Sequence, residues 1–418
     1  MTAAPSPQAN RLADIKLPMP LWELVALVAA LMSLNALAID IMLPALDEVS
    51  AHYKLLRAND QQLIVFSYVI GFGTPQLVFG PLTDRIGRRN LLRLCLLAYA
   101  ILGFACMATR TFELLLLVRF LNGVAASGVR VIAVSIVRDL VQGRGMARIM
   151  SLVMTVFMVV PILAPGLGQM IMHVSSWQWT FGVLGLAGLA LLLWVQLRLP
   201  ETLPPEKRKV VSFKKAVASY IEVLRVRVSL GYMLASGVVF GGLFAFIGAA
   251  EQIFSDTFHV GDEFVVWFAG IAATLAIANY TNSRLVERFG MRRICHGALL
   301  AFIILAILNV FALKIYGEKL LVFFPLFALS FGCFGMIGAN FSAIALEPQG
   351  KNTGTASAAY GFFTTTFASG FGWLVARQFD GSVVPILFGY MALGIGALII
   401  VLITERGKLF ETGTQQGN

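Results

Sequence analysis

Long apolar runs alternate with short polar segments along almost the whole chain. Twelve of these runs are long enough to cross a bilayer, because a membrane-spanning helix needs about 20 apolar residues. We number the predicted helices spans 1 to 12. They cover residues 22–43, 63–82, 91–109, 113–136, 149–171, 178–197, 229–250, 264–283, 294–313, 320–342, 355–376 and 383–403.

Composition supports an all-α integral membrane protein. Hydrophobic residues make up 58% of the 418 residues and charged ones 13%, and the mean hydropathy is +0.81. A soluble fold cannot bury that much apolar surface, so the bilayer is the expected solvent. The first twenty residues lack the apolar core of a cleaved signal peptide, and span 1 is therefore expected to be retained.

Lysine and arginine are distributed unevenly between the predicted loops. If the N-terminus is cytoplasmic, 24 of the 32 basic residues lie in cytoplasmic segments and 6 in external loops. This bias predicts that both termini are cytoplasmic. The net charge of +10 then reflects topology and anionic lipid headgroups, and no nucleic-acid partner is expected.

The longest polar interruption divides the spans six and six. It covers residues 198–227 and contains the basic run Lys207–Lys209. We interpret it as a linker, with a basic surface-binding segment as the alternative. The predicted organisation is an N-terminal tail at 1–20, six-helix bundles at 21–197 and 228–404 on either side of the linker, and a C-terminal tail at 405–418.

The two halves share a weak internal repeat. Residues 80–89, after span 2, match residues 283–292, after span 8, at an offset of 203. A leucine, an acid, an arginine, a glycine and a final arginine recur. Duplicated six-helix halves are typical of transporters whose substrate site lies between the halves.

These residues resemble the major facilitator superfamily. Residues 80–89 match its loop motif G-x-L-x-D-R-x-G-R-R, and residues 115–126 resemble its span 4 motif, with Asn122 in place of the commoner glutamine. Residues 164–168 resemble the span 5 motif of its antiporters more loosely. The resemblance implies two pseudo-symmetric six-helix bundles and a central cavity lined by spans 1, 4, 7 and 10.

Three further segments narrow the resemblance to one branch. Residues 38–44, 137–140 and 161–165 look like those of the bicyclomycin/chloramphenicol-resistance (Bcr/CflA) drug exporters. This similarity implies export of small drug-like compounds in exchange for protons. Within the same fold, a metabolite or sugar exporter or importer is the alternative. An integral-membrane enzyme or a receptor is a remoter one.

Charged residues inside the spans are candidates for coupling. Asp40 lies near the end of span 1, and Arg119 about seven residues into span 4. Intramembrane charges are costly and normally functional. Similar depth allows the two side chains to pair, so we predict that they couple transport to protons. A static ion pair that fixes helix packing is the alternative.

The same face of span 4 is a candidate wall of the cavity. Arg130 follows Arg119 by eleven residues, and eleven steps of about 100° place both on one side. Arg130 either faces the cavity or extends to the cytoplasmic surface. Glu251 is expected to be a solvated helix end rather than a second coupling acid. The remaining cavity candidates, for which core or lipid-facing packing is the alternative, are Asn122, Gly123, Ser127, Phe240, Phe244, Phe331, Phe334 and Asn340.

The turn after span 2 is predicted to act as a gate. Asp84 is expected to contact the start of span 11, where Thr353, Thr355 and Ser357 are candidate caps, and Arg138 is expected to balance its charge. Pro161, Pro165 and Gly168 either bend span 5 or pack it closely. The other gate residues are Gly80, Arg85, Gly87, Arg88 and Arg89.

Other chemistry is not indicated by the sequence. The four cysteines and four histidines form no metal-ligand spacing, and Gly350-Lys351 lacks the rest of a phosphate-binding loop. We expect no cofactor, no metal and no enzymatic activity. The expected partners are protons, small drug-like molecules and membrane lipid, and the expected state is a monomer.

Overall fold

Every regular element that the structure describes is helical. The computed structural model describes residues 19–141, 143–204, 206, 208 and 213–411. Helices occupy all twelve predicted spans. Spans 1 to 6 comprise Leu21–Asp40, Leu63–Gly73 with Gln76–Ile86, Arg88–Met107, Phe112–Leu140, Gly143–Phe157 with Val160–Val174, and Gln178–Arg198. Spans 7 to 12 comprise Arg227–Gln252, Phe264–Phe289, Met291–Tyr316, Leu320–Leu346, Thr353–Phe362 with Phe363–Phe367 and Ala368–Ala376, and Val384–Thr404.

Most of these helices are long and apolar enough to cross a membrane. Ten helices meet both conditions, and the bent pair that forms span 2 makes eleven. Span 11 is not among them, because glycine, serine and threonine dilute its apolar residues. Large hydrophobic side chains such as Val174, Leu321 and Ile315 are more than 70% exposed, as expected for a surface that faces lipid tails.

Three spans are interrupted rather than straight. Span 2 bends by 47° between its two helices, where Pro75 lacks the N–H that would continue the helix. Span 5 has a turn at residues 158–159, just before Pro161, within one candidate span, Arg148–Val174. The bend expected there stays a prediction. Span 11 contains the π-helical segment Phe363–Phe367. The breaks in spans 2 and 11 were not predicted from the sequence.

The turns before spans 3 and 9 confirm the internal repeat. Gly87 has φ 103° and ψ 157°, and Gly290 has φ 80° and ψ 156°. A side chain rarely adopts these angles, which explains why glycine stands at both positions. Each glycine precedes a helix whose first turn carries a paired arginine, Arg88 or Arg292. The internal repeat aligns Arg292 with Arg89, whereas the ion-paired arginines are Arg88 and Arg292. Their positions therefore differ by one residue when the two halves are aligned.

The ends of the spans define two faces of the molecule. The linker face carries the turn between spans 2 and 3, the end of span 4 and the start of span 11. The far face carries the end of span 1, the start of span 2 and the end of span 7. A short helix, Leu46–Tyr53, follows span 1 at the far face.

The linker contains a helix that the sequence analysis missed. Phe213–Arg225 lies at the linker face beside both halves. The hydroxyl of Tyr220 donates to the carbonyl of Leu77 in span 2 at 2.8 Å. Nδ2 of Asn352, just before span 11, donates to Glu222 at 3.2 Å. The linker therefore bridges the bundles on this side. The basic run Lys207–Lys209 lies largely outside the described residues.

Candidate functional site

Arg119 is completely buried in the first half. Its Nη2 donates to the carbonyl of Ala38 at 3.0 Å, and its Nε to that of Ile64 at 3.3 Å. The ring centroids of Tyr68 and Phe181 lie 4.4 and 5.5 Å from the guanidinium carbon. Carbonyl dipoles and aromatic faces therefore stabilise this cation.

Asp40 follows Ala38, whose carbonyl Arg119 binds, by two residues, but it does not pair with Arg119. Its side chain is 4% exposed, and within the described part of the chain no ion pair reaches it. The predicted pairing of the two charges is therefore wrong for this conformation. The helix of span 1 ends at Asp40, where the N–H of Ile41 still donates to Leu37, and the carbonyls that follow Leu37 lie at the helix end, where main-chain donors run out. Arg119 binds one of them, that of Ala38, instead of the carboxylate.

Arg130 points into the membrane interior. Its guanidinium carbon lies 5.6 Å from the ring centroid of Phe72, in the middle of span 2. The side chain is half-buried, and the described residues give it neither a hydrogen bond nor an ion pair. Because the guanidinium stays at the level of Phe72, the cavity alternative is favoured over extension to the linker face.

The other polar positions of span 4 are used in packing. Nδ2 of Asn122 donates to the carbonyl of Tyr99 in span 3 at 3.0 Å. Gly123 packs directly on the main chain of span 2, where any side chain would clash. Ser127 is fully buried. Contact of these three residues with a substrate stays a prediction, since this conformation exposes none of them.

The predicted pocket residues of the second half fall into two groups. Phe331 and Phe334 are at most 4% exposed and belong to an aromatic cluster that includes Tyr390. Nδ2 of Asn340 donates to Oδ1 of Asn282 at 2.7 Å inside the same bundle. In this conformation all three serve as core. Phe240 and Phe244 are half-buried and remain the better candidates for contact with substrate.

At the linker face, Arg88 is the centre of an ion-pair cluster. Its Nη1 lies 2.7 Å from Oδ1 of Asp84, and its Nε lies 2.7 Å from Oδ2 of Asp139. Its main-chain N–H donates to Glu201 at 2.9 Å. The second half repeats the arrangement with Arg292, which pairs with Glu405 at 2.9 Å and Glu347 at 3.7 Å. Asp139 and Glu201 were missed as partners because they are distant from Arg88 in sequence.

The predicted contact between Asp84 and span 11 is not formed. Asp84 pairs with Arg88 of its own half. It is Arg138 that reaches span 11, where its Nη1 would lie 3.2 Å from a Cβ added to Gly354. Of the candidate caps Thr353, Thr355 and Ser357, Thr353 uses its hydroxyl to donate to the carbonyl of Gly350. The charged side chain at the N-terminus of span 11 is therefore a cation, whereas an acid was expected there.

The other predicted gate residues occupy varied environments. Arg85 is exposed, and Nη2 of Arg89 donates to the carbonyl of Gln196 at 2.8 Å. A side chain at Gly80 would meet open space, whereas Gly168 packs on the carbonyl of Ile41. In span 5, Gly168 therefore packs closely on the end of span 1, whereas the bend at Pro161 stays a prediction. Pro165 continues the second helix of the span.

Side chains close the far face between the two halves. Nε2 of Gln62 donates to Oε1 of Gln252 at 2.7 Å and to the carbonyl of Ala376 at 3.2 Å. Nδ2 of Asn59 donates to the carbonyls of Arg377 and Phe379 at 3.0 and 2.8 Å. We call these contacts the far-face seam. The sequence analysis missed it, although amide side chains at the first turn of span 2 and the last turn of span 7 were a usable signal.

Glu251 also lies in the far-face seam. Its side chain is only 8% exposed, and Nε2 of Gln61 donates to its Oε2 at 3.2 Å. The expectation of a solvated helix end is therefore wrong. The helix of span 7 continues to Gln252 and presses its last turn against the first half, which covers the carboxyl group.

The described residues contain no group of histidine, cysteine and carboxylate side chains that is suited to a metal ion. The four cysteines are buried and unpaired.

Comparison with known proteins gives the family. Residues 25–373 match the model of the Major Facilitator Superfamily. The chain is 31% identical over 354 residues to the uncharacterised MFS-type transporter YdgK of Bacillus subtilis, covering 83% of this chain and 86% of the relative. It is 27% identical over 371 residues to the bicyclomycin resistance protein homologue of Haemophilus influenzae, covering 87% and 90%.

Solved structures agree on the fold. A crystal structure of a D-xylose–proton symporter superposes with a TM-score of 0.70 at 15% identity, covering 91% of this chain and 97% of the symporter. The relatives confirm the resemblance to the bicyclomycin and chloramphenicol resistance branch. Members of this family are transporters rather than enzymes. The chain is a multi-pass membrane transporter that belongs to the major facilitator superfamily.

Proposed function

We propose that the protein is a proton-coupled efflux antiporter that exports small, amphipathic, neutral compounds by alternating access. The observation that carries this proposal is Asp40, a carboxyl group that is buried inside the membrane region without an ion pair. Desolvation favours the neutral, protonated form of such a group. Access to water from one face and then the other would let it take up and release one proton per cycle.

Arg119 supports this role without neutralising Asp40. It is bound to the carbonyl of Ala38, two residues before Asp40, at 3.0 Å. Movement of span 1 against span 4 would change the distance between the guanidinium and the carboxylate. Because a nearby cation favours the ionised carboxyl group, such a movement would couple helix motion to proton release.

The orientation follows from the distribution of basic residues. The linker face carries the segments rich in lysine and arginine, and the positive-inside rule places such segments in the cytoplasm. The far-face seam then closes the outer side of a bacterial inner membrane, with both termini inside. Arg138 and the cluster around Arg88 would form the inner gate.

The substrate class is supported by relatives and by charge. One relative is named for bicyclomycin resistance. Arg119 and Arg130 leave the first half with more cation than acid in its interior. An unpaired cationic drug would be costly to desolvate in that environment, which favours neutral compounds.

The test is transport by the purified protein in proteoliposomes with an imposed proton gradient. Asp40→Asn is expected to abolish gradient-driven movement of a neutral phenicol while binding of the compound persists. Glu263→Gln, which changes an exposed acid at the far face, is the matched control and is expected to transport normally. Gradient-driven transport by Asp40→Asn at the wild-type rate would refute the coupling role.

A further inference from the structure

Two carboxyl groups from opposite halves meet in the far-face seam. Asp47 lies in the helix after span 1, and Glu251 lies in the last turn of span 7. Nε2 of Gln61 donates to Oδ1 of Asp47 at 3.3 Å and to Oε2 of Glu251 at 3.2 Å. The two oxygens are therefore at most about 6.5 Å apart. The amide of Gln61 therefore holds the two carboxyl groups close together across the seam.

Protonation decides whether the two carboxyl groups repel each other. Ionised carboxylates only accept hydrogen bonds, whereas a protonated one can also donate. With one proton bound to the pair, a single negative charge remains. With none, the buried carboxylate of Glu251 faces the exposed carboxylate of Asp47, and burial of Glu251 adds a desolvation cost to their repulsion.

The surrounding charges strengthen this dependence. Two other acids, Asp47 and Asp256, interact electrostatically with Glu251. His259 interacts electrostatically with Asp256, and Gln61 contributes only its amide dipole. No lysine or arginine in the described part of the chain forms an ion pair with Asp47 or Glu251. A shared proton is therefore the available means of offsetting the negative charge.

The position of the pair connects it to gating. Asp47 is exposed at the far face, so protons from that side reach the pair. Glu251 is covered by the seam, beside Gln252 and its bond to Gln62. Separation of the halves at this face would break the hydrogen bond from Gln61 to Glu251 and expose Glu251 to water.

We propose that Asp47 and Glu251 form a proton-dependent latch that holds the far face closed. One proton from the far compartment binds the pair in the closed state. Loss of that proton leaves two facing carboxylates and favours separation of the halves. The latch is a proton site additional to Asp40, and it operates whether or not Asp40 couples transport.

The sign of the pH dependence follows from linkage. The closed state binds one proton more than the open state, so acid favours closure and a rising pH favours opening. The ratio of open to closed molecules should rise about tenfold per pH unit across the titrating range, as expected for one linked proton.

Distance measurements test the latch directly. Spin labels would be placed on cysteines introduced at Leu56, which is fully exposed in the first half, and at Lys319, which is exposed in the second. The native cysteines are buried, which favours labelling at the introduced sites. The full-length protein in lipid nanodiscs would be measured by electron–electron double resonance between about pH 4 and 9, a range that starts near the ordinary pKa of a carboxyl group and covers the higher values that neighbouring carboxyl groups reach.

In this experiment a long-distance population is expected to grow as the pH rises. Glu251→Gln and Asp47→Asn are each expected to remove the pH response, because an amide keeps a hydrogen bond without a titrating proton. Asp60→Asn, a nearby acid outside the pair, is expected to retain the response. A flat wild-type profile, or an unchanged response in both pair variants, would overturn the latch.

The background variant Asp40→Asn separates this inference from the proposed function. If the latch is correct, Asp40→Asn retains the pH-dependent distances even when it no longer transports. Loss of the pH response in Asp40→Asn, with Asp47 and Glu251 intact, would assign the response to Asp40 and contradict the latch.

Discussion

At the residue scale, the main result is how buried charges are stabilised. Arg119 is held by the carbonyls of Ala38 and Ile64 rather than by Asp40, which follows Ala38 by two residues on span 1. The arginine is thus fixed by the main chain, which leaves Asp40 available for the proton exchange proposed above. For Glu251, the sequence predicted a solvated helix end, but tertiary packing buries its side chain.

Arg119 is predicted to stabilise the first half as well as tune Asp40. Arg119→Ala leaves the buried carbonyl of Ala38 without this donor, at about 1–3 kcal/mol for an unpaired buried group, whereas the carbonyl of Ile64 keeps the hydroxyl of Ser67. We expect a clearly lower thermal unfolding temperature for the purified variant. Arg148→Ala, which removes an exposed arginine, should leave that temperature unchanged. Equal unfolding temperatures for Arg119→Ala and wild type would show that the carbonyl contacts contribute little.

The acids around Arg88 are predicted to differ in importance. The side chain of Asp139 is 16% exposed and that of Asp84 is 37% exposed. Solvent screens the more exposed pair more strongly. Asp139→Asn should therefore loosen the linker face more than Asp84→Asn. Both changes should shift the protein away from the state in which this face is closed.

Cysteine labelling measures that shift. Ala356 and Ala376 are both buried on span 11, one near each face, and each would be replaced by cysteine in turn. The variants at Asp139 and Asp84 should raise labelling at position 356 relative to position 376. An unchanged ratio in both would leave these acids with a topological role only.

At the element scale, the breaks in spans 2 and 11 meet each other. A Cβ added to Gly73, at the bend of span 2, would lie 2.9 Å from the main-chain nitrogen of Thr366 in the π-segment of span 11. Nε2 of Gln76 donates to Oγ1 of Thr365 at 3.5 Å just beyond the bend. Two interrupted helices from opposite halves therefore cross at their weak points, which suits a contact that must tolerate rocking.

Gly73→Ala is predicted to disturb this crossing. The added methyl group would clash with main-chain atoms of span 11, which move only if the helix moves. We expect at least a tenfold loss of transport with the protein still folded, corresponding to about 1.4 kcal/mol. Gly370→Ala in span 11 meets open space and is the control. Normal transport by Gly73→Ala would show that the crossing is not constrained.

At the scale of the whole molecule, the two faces are closed by different means. Amide and carboxyl side chains join the halves at the far face, whereas the described ion pairs around Arg88 and Arg292 lie within one half or the other. The linker helix and the contact of Arg138 with span 11 complete the opposite side. This asymmetry fits a conformation in which the far face is closed.

The overall charge of the interior predicts the substrate preference. Exchange of one proton for one neutral molecule moves net charge, so transport should respond to membrane potential. Cells that express the protein should resist neutral phenicol-type drugs better than quaternary ammonium dyes. Strong protection against the dyes, with none against neutral drugs, would indicate a carboxylate as a cation site. Asp47→Asn and Asp40→Asn variants would then identify the acid.

The sequence by itself determined the membrane class, the twelve helical spans, the division into two halves and the positions of Asp40 and Arg119. Hydropathy is a local property, and the bilayer supplies a fixed length against which to read it. Only the tertiary structure decided which partner Arg119 binds, that Glu251 is buried and where the far face closes. These features depend on how helices far apart in sequence rotate and pack. Gln61 and Glu251, for example, are separated by 190 residues.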